Sequence, residues 1–225
     1  IKLILLVIVS ILYNSLFLEN ISIYEYYLRI FTLIFFVLFF NQIDGINGLS
    51  GSTFVVSVII ICIVSNSLLP HLIIISSILG YLFFNFRGKI GIQGDAGAYF
   101  LGVIYFLFYT KSKGINFLLF YLILTPILLD VVATSIVRLF FQRNIFDGHT
   151  NNLYQRIVSY SQKHLYSTGI FVVLQVTLSL LYVYISENFS YFYFSFIVLI
   201  LNLFMLVFFI LLAYLIDKDK IFKPK

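Results

Sequence analysis

Two short segments of this sequence place an aspartate among glycines, directly beside an apolar run. NQIDGINGLSG, residues 41–51, follows the run LRIFTLIFFVLFF and contains Asp44. GIQGDAGAYFLG, residues 91–102, contains Asp95 immediately before another apolar stretch. A carboxylate at a membrane edge is costly to desolvate, and glycines allow the backbone to approach a ligand closely. The two segments therefore predict a site for a divalent cation such as Mg²⁺, for a phosphate group, or for both.

Both segments also have a structural interpretation. Asp44 and the neighbouring asparagines can cap a helix predicted at 53–69, and Asp95 can cap the helix that follows it. Arg87 and Lys89 lie just upstream of the second segment. They favour its functional interpretation, because two cations would complement a diphosphate.

A third polar segment, RLFFQRNIFDGHTNNLYQRI at 138–157, concentrates charged and amide side chains in one connection. A solvated basic loop explains its first arginines as topology signals, but it explains the cluster DGHTNN less well. The candidate binding residues in this segment are Arg143, His149, Asn152, Gln155 and Arg156.

Three further polar residues lie outside these segments. Asp130 sits in an apolar stretch, where a buried carboxylate indicates a functional site unless it pairs with a Ser or Thr hydroxyl. His71 lies beside Pro70 in a predicted turn, and His164 follows Lys163 at a predicted helix start. Both histidines are predicted to be surface residues.

The elements that position these residues are predicted to be transmembrane helices. The 225 residues are 62% hydrophobic and 10% charged, with a mean hydropathy of +1.08, which is too apolar for a soluble core. Apolar runs of about 20 residues match membrane helices, and the alternation of barrel strands is missing from the sequence. The sequence predicts an all-α polytopic bundle, one domain over 1–225, with about eight spans at 2–18, 27–40, 53–69, 71–86, 97–110, 115–140, 166–186 and 191–216.

The basic residues predict the orientation of this bundle. With these spans, three of the 14 basic residues, Arg29, Lys111 and Lys113, fall on one side, and the other eleven fall on the side of the three polar segments. The positive-inside rule makes that second side the cytoplasm. Any chemistry is therefore expected to use a cytosolic substrate at the surface of a lipid bilayer.

In this order, NQIDGINGLSG, GDAGAYFLG and FDGHTNNLYQR resemble the motifs of the polyprenyl-phosphate N-acetylhexosamine-1-phosphate transferases, also called glycosyltransferase family 4. These enzymes begin bacterial envelope glycans, including peptidoglycan and lipopolysaccharide O-antigen. The resemblance covers roughly residues 41–157. It implies transfer of an amino-sugar 1-phosphate from a UDP-N-acetylhexosamine to undecaprenyl phosphate, with release of UMP. The place would be the cytoplasmic face of the bacterial inner membrane.

By position, the resemblance also assigns roles to residues. Asp44 and Asp95 would be catalytic and would hold Mg²⁺, or Mn²⁺ in its place. The substrate-binding residues would be Asn41, Asn47, Gly48, Arg143, His149, Asn152, Gln155 and Arg156.

The sequence departs from the family pattern in three places. Asn47 stands where some members have a second aspartate, which predicts hydrogen bonding there and not metal ligation. Many relatives have H-x-H-H where this chain has Asn152, Tyr154 and Gln155, a form that resembles the O-antigen or capsule branch. The family also carries an Asp-Asp pair upstream of its first motif, whereas no Asp precedes Asp44 here. The expectation is a chain that lacks its N-terminal part and that, taken as residues 1–225, releases no UMP.

Two other classes of protein remain open from the sequence. A transporter would have helices interrupted at mid-membrane, often in matching repeats. An intramembrane aspartyl protease would also use two membrane aspartates, but its motifs need Tyr-Asp and G-x-G-D, where this chain has Ile43-Asp44 and Ile92-Gln93-Gly94-Asp95. No nucleic-acid partner is expected. The sequence leaves the oligomeric state open, a homodimer included.

Overall fold

The computed structural model describes residues 7–8, 11–12, 22–66, 69–88, 91–112, 117–140 and 150–216. Within these ranges the regular secondary structure is helical, which confirms the predicted all-α class. The helices described there are α1 (Ile23–Ile43), α2 (Leu49–Ser65), α3 (Leu69–Asn85), α4 (Gly94–Lys111), α5 (Phe117–Leu122), α6 (Thr125–Phe140), α7 (Leu153–Ser161), α8 (His164–Asn188) and α9 (Tyr191–Ile216).

The helix lengths do not support eight membrane spans. In the described part of the chain, three helices are long and apolar enough to cross a membrane: α1, α8, and α9 over Tyr191–Leu212. Helices α2 and α3 are apolar but have 17 residues each, about 26 Å of helix against a hydrocarbon core of about 30 Å. The predicted span 115–140 is divided into α5 and α6, and most of the predicted span 2–18 lies outside the described residues.

The break between α5 and α6 follows from Pro126. Proline has no N–H to donate to the carbonyl four residues back, and its ring crowds that carbonyl, so one continuous helix is interrupted there. Two side chains bond to other carbonyl oxygens at this break. The Tyr105 hydroxyl donates to the Phe120 carbonyl at 2.8 Å, and the Ser179 hydroxyl donates to the Ile123 carbonyl at 3.5 Å.

Helix α2 lies at the centre of the bundle, in contact with α1, α3, α4 and α8. Its contact with α8 includes a buried polar cluster, in which the Gln175 amide donates to the Thr53 carbonyl at 3.1 Å and to the Ser57 hydroxyl at 2.9 Å. Because α2 and α8 are both apolar elsewhere, these bonds fix how the two helices are rotated against each other.

Helices α1 and α4 share the most extensive contact of the bundle, and Gly102 permits their close approach. A methyl group at Gly102 would lie 2.5 Å from the Val37 Cα and 2.8 Å from the Phe36 carbonyl oxygen, both backbone atoms of α1. Gly102 ends the motif GDAGAYFLG, so this last glycine is explained by helix packing.

We expect Gly102→Ala to lower the Tm of the protein in detergent, because the α1 backbone cannot move aside without separating the helices. Gly80→Ala is the matched control, since a methyl group at Gly80 meets nothing within 4 Å. That control should leave the Tm unchanged or raise it, as alanine is the better helix former. Equal Tm values for the two variants would contradict the packing role.

Candidate catalytic site at one end of the bundle

Parts of the three polar segments meet at one end of the bundle, which we call the motif end. The Ser50 hydroxyl lies 2.7 Å from Oε1 of Gln93, which joins the first segment to the second. The Tyr154 hydroxyl donates to the Gln42 carbonyl at 3.0 Å, which joins the first segment to the third. The motif end therefore brings together residues far apart in the chain.

Asp44 lies at the motif end, immediately after α1, and is half-buried. The Ser50 hydroxyl donates to its Oδ1 at 3.0 Å. Burial raises the pKa of Asp44 to about 6; the Ser50 bond opposes this shift, and the negative charge of Asp95 adds to it. Asp44 does not cap α2, because the residue before α2 is Gly48 and no side-chain cap is formed there.

Asp95 is exposed in the first turn of α4, as its position in the second segment predicts. Its charge acts on Asp44, so the motif end carries two interacting carboxylates. Gln93, which the sequence did not single out, places its Oε1 between the Ser50 hydroxyl and the Tyr81 hydroxyl, 3.3 Å from the latter.

These groups fit one kind of metal site. The described residues contain no group of three or more His, Cys, Asp or Glu side chains that could enclose a metal ion. Mg²⁺ commonly binds through one or two carboxylates and completes its coordination with substrate phosphates and water. Asp44 and Asp95 match that ligand set, whereas zinc would need more nitrogen or sulfur ligands.

Asn85 connects the first two segments and was missed by the sequence reasoning. Its Oδ1 accepts from the Gly48 N–H at 2.6 Å, and its Nδ2 donates to the Gly91 carbonyl at 2.7 Å. Gly48 has φ +83°, and a side chain there would overlap the Phe86 ring. The turn requires glycine at position 48 even without a ligand. An asparagine at the polar end of an apolar run was the available signal.

His164 makes a tertiary contact that the sequence reasoning did not predict. It was predicted to be a surface residue and is partly exposed, but its Nδ1 also accepts a hydrogen bond from the Asn47 N–H at 3.2 Å. Thr168, one turn further along α8, donates to the Asn47 carbonyl at 3.0 Å. The reason is tertiary: α8 packs on α2, which places the start of α8 beside the first segment.

His71 corrects the other histidine prediction. Its side chain is 4% exposed, and its ring stacks on Phe108 with 4.7 Å between centroids. Because α3 and α4 both flank α2, a residue near the start of α3 can be covered by the final part of α4.

Asp130 holds the start of α7. Its carboxylate, 1% exposed, accepts from the Leu153 N–H at 2.8 Å and from the Tyr154 N–H at 3.2 Å. Asn152 precedes α7 but forms no side-chain cap, and its Nδ2 donates to the Tyr154 hydroxyl at 2.7 Å instead. Asp130 thus caps a helix from a distance of 23 residues along the chain, and the attraction of Arg156 stabilises its charge.

The remaining predicted site residues are distributed as follows. Asn41 is partly exposed in the last turn of α1, Arg156 is buried in α7, and Gln155 lies over Gly45, where a methyl group would be 2.6 Å from its Nε2. Arg143 and His149 lie outside the described residues.

A comparison with known families identifies the class of protein. The model of Glycosyl transferase family 4 matches residues 1–113, half of the chain. The chain belongs to this family, and with its apolar helices it is a membrane protein. It matches no curated protein and no solved structure. Family membership favours a phospho-sugar transferase over the transporter and protease interpretations.

Proposed function

We propose that the protein transfers an N-acetylated amino-sugar 1-phosphate from a UDP-sugar to undecaprenyl phosphate or a similar polyprenyl phosphate. An oxygen of the lipid phosphate attacks the β-phosphorus of the UDP-sugar. The bond between that phosphorus and the oxygen of UMP breaks, and UMP leaves. The observation that carries the proposal is that Asp44 and Asp95 lie at the motif end of a family 4 chain, in segments joined through Ser50, which contacts both Asp44 and Gln93.

The carboxylate pair supports a cation-assisted reaction. Asp44 is half-buried, and its pKa of about 6 reflects burial and repulsion that a bound cation would relieve. Held by Asp44 and Asp95, Mg²⁺ (or Mn²⁺) would neutralise charge on the diphosphate. Phosphoryl transfer depends mostly on such positioning and charge stabilisation.

Two amide oxygens support contact with the sugar. Asn152 Oδ1 and Gln155 Oε1 are buried and have no hydrogen-bond partner among the described residues. Buried acceptors without partners are costly, so a ligand that brings donors would stabilise them. Hydroxyl and acetamido N–H groups are such donors, whereas a phosphate is not. We assign these two residues to the sugar, and we keep Asn41, Asn47, Gly48, Arg143, His149 and Arg156 as further substrate contacts.

The charge distribution supports the location that we propose. Among the described residues, Arg87, Arg156 and Lys163 lie near the motif end, whereas Arg29 and Lys111 lie at the other ends of α1 and α4. The site would then face the cytoplasm, in the inner membrane of a bacterium. The Asn-Tyr-Gln form of the third segment supports the O-antigen or capsule branch, within a single transferase domain.

The proposal is tested with the full-length protein in nanodiscs. Supplied with undecaprenyl phosphate, Mg²⁺ and a UDP-N-acetylhexosamine, it should release UMP and form the lipid-diphospho-sugar, both detected by mass spectrometry. Omitting the lipid or adding EDTA should stop both products. Folded protein that yields neither product with any of several UDP-N-acetylhexosamines would overturn the proposal.

We expect Ser50→Ala to shift the acid limb of kcat/KM to higher pH. The Ser50 hydroxyl stabilises the ionised Asp44 carboxylate in the unchanged protein. Its removal should therefore raise the pKa of Asp44 further above about 6. A group with a raised pKa keeps its proton to higher pH, and less of the ionised form is present near pH 6. The pH profile is measured at subsaturating Mg²⁺, with Ser52→Ala as control. An unshifted limb in Ser50→Ala would contradict this role.

A further inference from the structure

A cleft of about 890 Å³ lies beside the first segment, separate from the carboxylate pair. Asn47 forms part of its wall, and the rest comes from the turn that follows α3, from the turn between α7 and α8, and from the first residues of α8. Its size is that of typical small-molecule sites. The cleft is therefore large enough for a phosphate group together with part of the molecule that carries it.

The charge of this cleft is positive. Arg87, from the turn after α3, and Lys163, from the residue before α8, both line it, and the described residues that line it include no aspartate or glutamate. The Arg87 guanidinium lies 4.2 Å from the centroid of the Phe83 ring, which holds it at the end of α3. Two cations in one cleft favour an anionic ligand over a neutral or cationic one.

Hydrogen-bond donors add to the two cations. His164 lines the cleft, and its Nδ1 accepts from the Asn47 N–H, so the proton of the neutral ring must be on Nε2. Lys163 is the residue before α8 and provides no side-chain cap, which leaves the positive end of a 25-residue helix at the cleft. The cleft thus combines two cations, an imidazole donor and a helix N-terminus.

Apolar side chains line the same cleft. Leu165 is 65% exposed and Tyr166 is 59% exposed, both in the first turn of the membrane helix α8. Phe86 lines the cleft from the turn that follows α3. A free inorganic anion would gain nothing from these groups. A phosphate attached to an apolar or aromatic body would bury them.

We propose that this cleft is a phosphate-monoester site whose ligand carries an apolar or aromatic group beside the phosphate. Polyprenyl phosphate and a uridine nucleotide both have this chemistry, and only this choice of ligands rests on the proposed function. Arg87, Lys163 and His164 bind the phosphate; Leu165 and Tyr166 contact the attached group.

The test measures binding without turnover. Full-length protein in nanodiscs of zwitterionic lipid is titrated with UMP by calorimetry, and separately loaded with undecaprenyl phosphate and examined by native mass spectrometry. The variant Arg87→Ala/Lys163→Ala should weaken one of the two ligands by about tenfold or more, because charge-assisted hydrogen bonds are lost. Lys163→Arg should retain most of the affinity. Lys111→Ala, which removes an exposed cation at the other end of α4, is the net-charge control.

Loss of UMP binding alone, or of undecaprenyl phosphate binding alone, supports the site and identifies its ligand. Loss of both at an unchanged Tm supports a site that accepts either phosphate monoester. Unchanged binding of both, or an equal loss in Lys111→Ala, would overturn it. Because neither arm requires transfer, the site can stand if no UMP is released from a UDP-sugar, and the transferase can stand if this cleft binds neither ligand.

Discussion

The full-length protein carrying Asp95→Asn is expected to lose transfer by about 10³-fold or more, because an amide cannot replace the negative charge that a metal and a diphosphate require. Asp95 lies exposed in the first turn of α4, and asparagine has nearly the same shape, so the substitution should leave the packed interior unchanged. The loss should therefore appear in kcat with an unchanged Tm. UMP release is measured over a range of Mg²⁺ concentrations, and the residual activity should depend less on Mg²⁺.

Glu187→Gln is the control for this substitution. Glu187 is an exposed carboxylate near the end of α8, the opposite end of that helix from His164 and the motif end. It undergoes the same chemical change without touching the site, and transfer should remain normal. An Asp95→Asn protein with near-normal turnover would show that the carboxylate pair does not carry the reaction.

Asp130→Ala is expected to lower the free energy of unfolding by about 2–5 kcal/mol, the summed cost of leaving two buried backbone donors without an acceptor. Two backbone N–H groups at the start of α7 lose their acceptor, and the buried Arg156 loses an opposite charge. The free energy of unfolding is measured by denaturant titration in detergent. Amide exchange at Leu153 and Tyr154 should accelerate in the same variant.

Ser135→Ala on the same helix controls for the loss of a polar side chain in α6. The Ser135 hydroxyl bonds only to the Val131 carbonyl one turn back among the contacts described for it. Its removal should change the free energy of unfolding by less than about 0.5 kcal/mol. A stable Asp130→Ala protein with slow exchange at Leu153 would contradict the capping role.

Asp130 also illustrates where sequence reasoning reached its limit. A carboxylate inside an apolar helix indicates a polar partner, and the sequence could say that much. The partner is the start of a helix 23 residues further along the chain, across a connection whose path no local pattern determines. The same holds for His164, whose bond to Asn47 spans 117 residues.

The predicted number of membrane spans was wrong for a related reason. Hydropathy registers apolar runs, but it does not register that α2 and α3 are too short or that Pro126 divides a run. Such shorter helices are stabilised by their neighbours, with α2 packed among four others. Their apolar residues serve the protein interior as well as the lipid.

The sequence by itself determined the helical membrane class, because so apolar a composition can be buried only in lipid and in helix contacts. It also determined that Asp44 follows one apolar helix and that Asp95 begins another, since glycine and aspartate interrupt apolar runs locally. Only the tertiary structure decided that Ser50 contacts Gln93 and that Asn85 bonds to both segments. It also placed the start of α8 in hydrogen-bond contact with Asn47. Those contacts arise from helix packing, whose geometry depends on side chains distant in sequence.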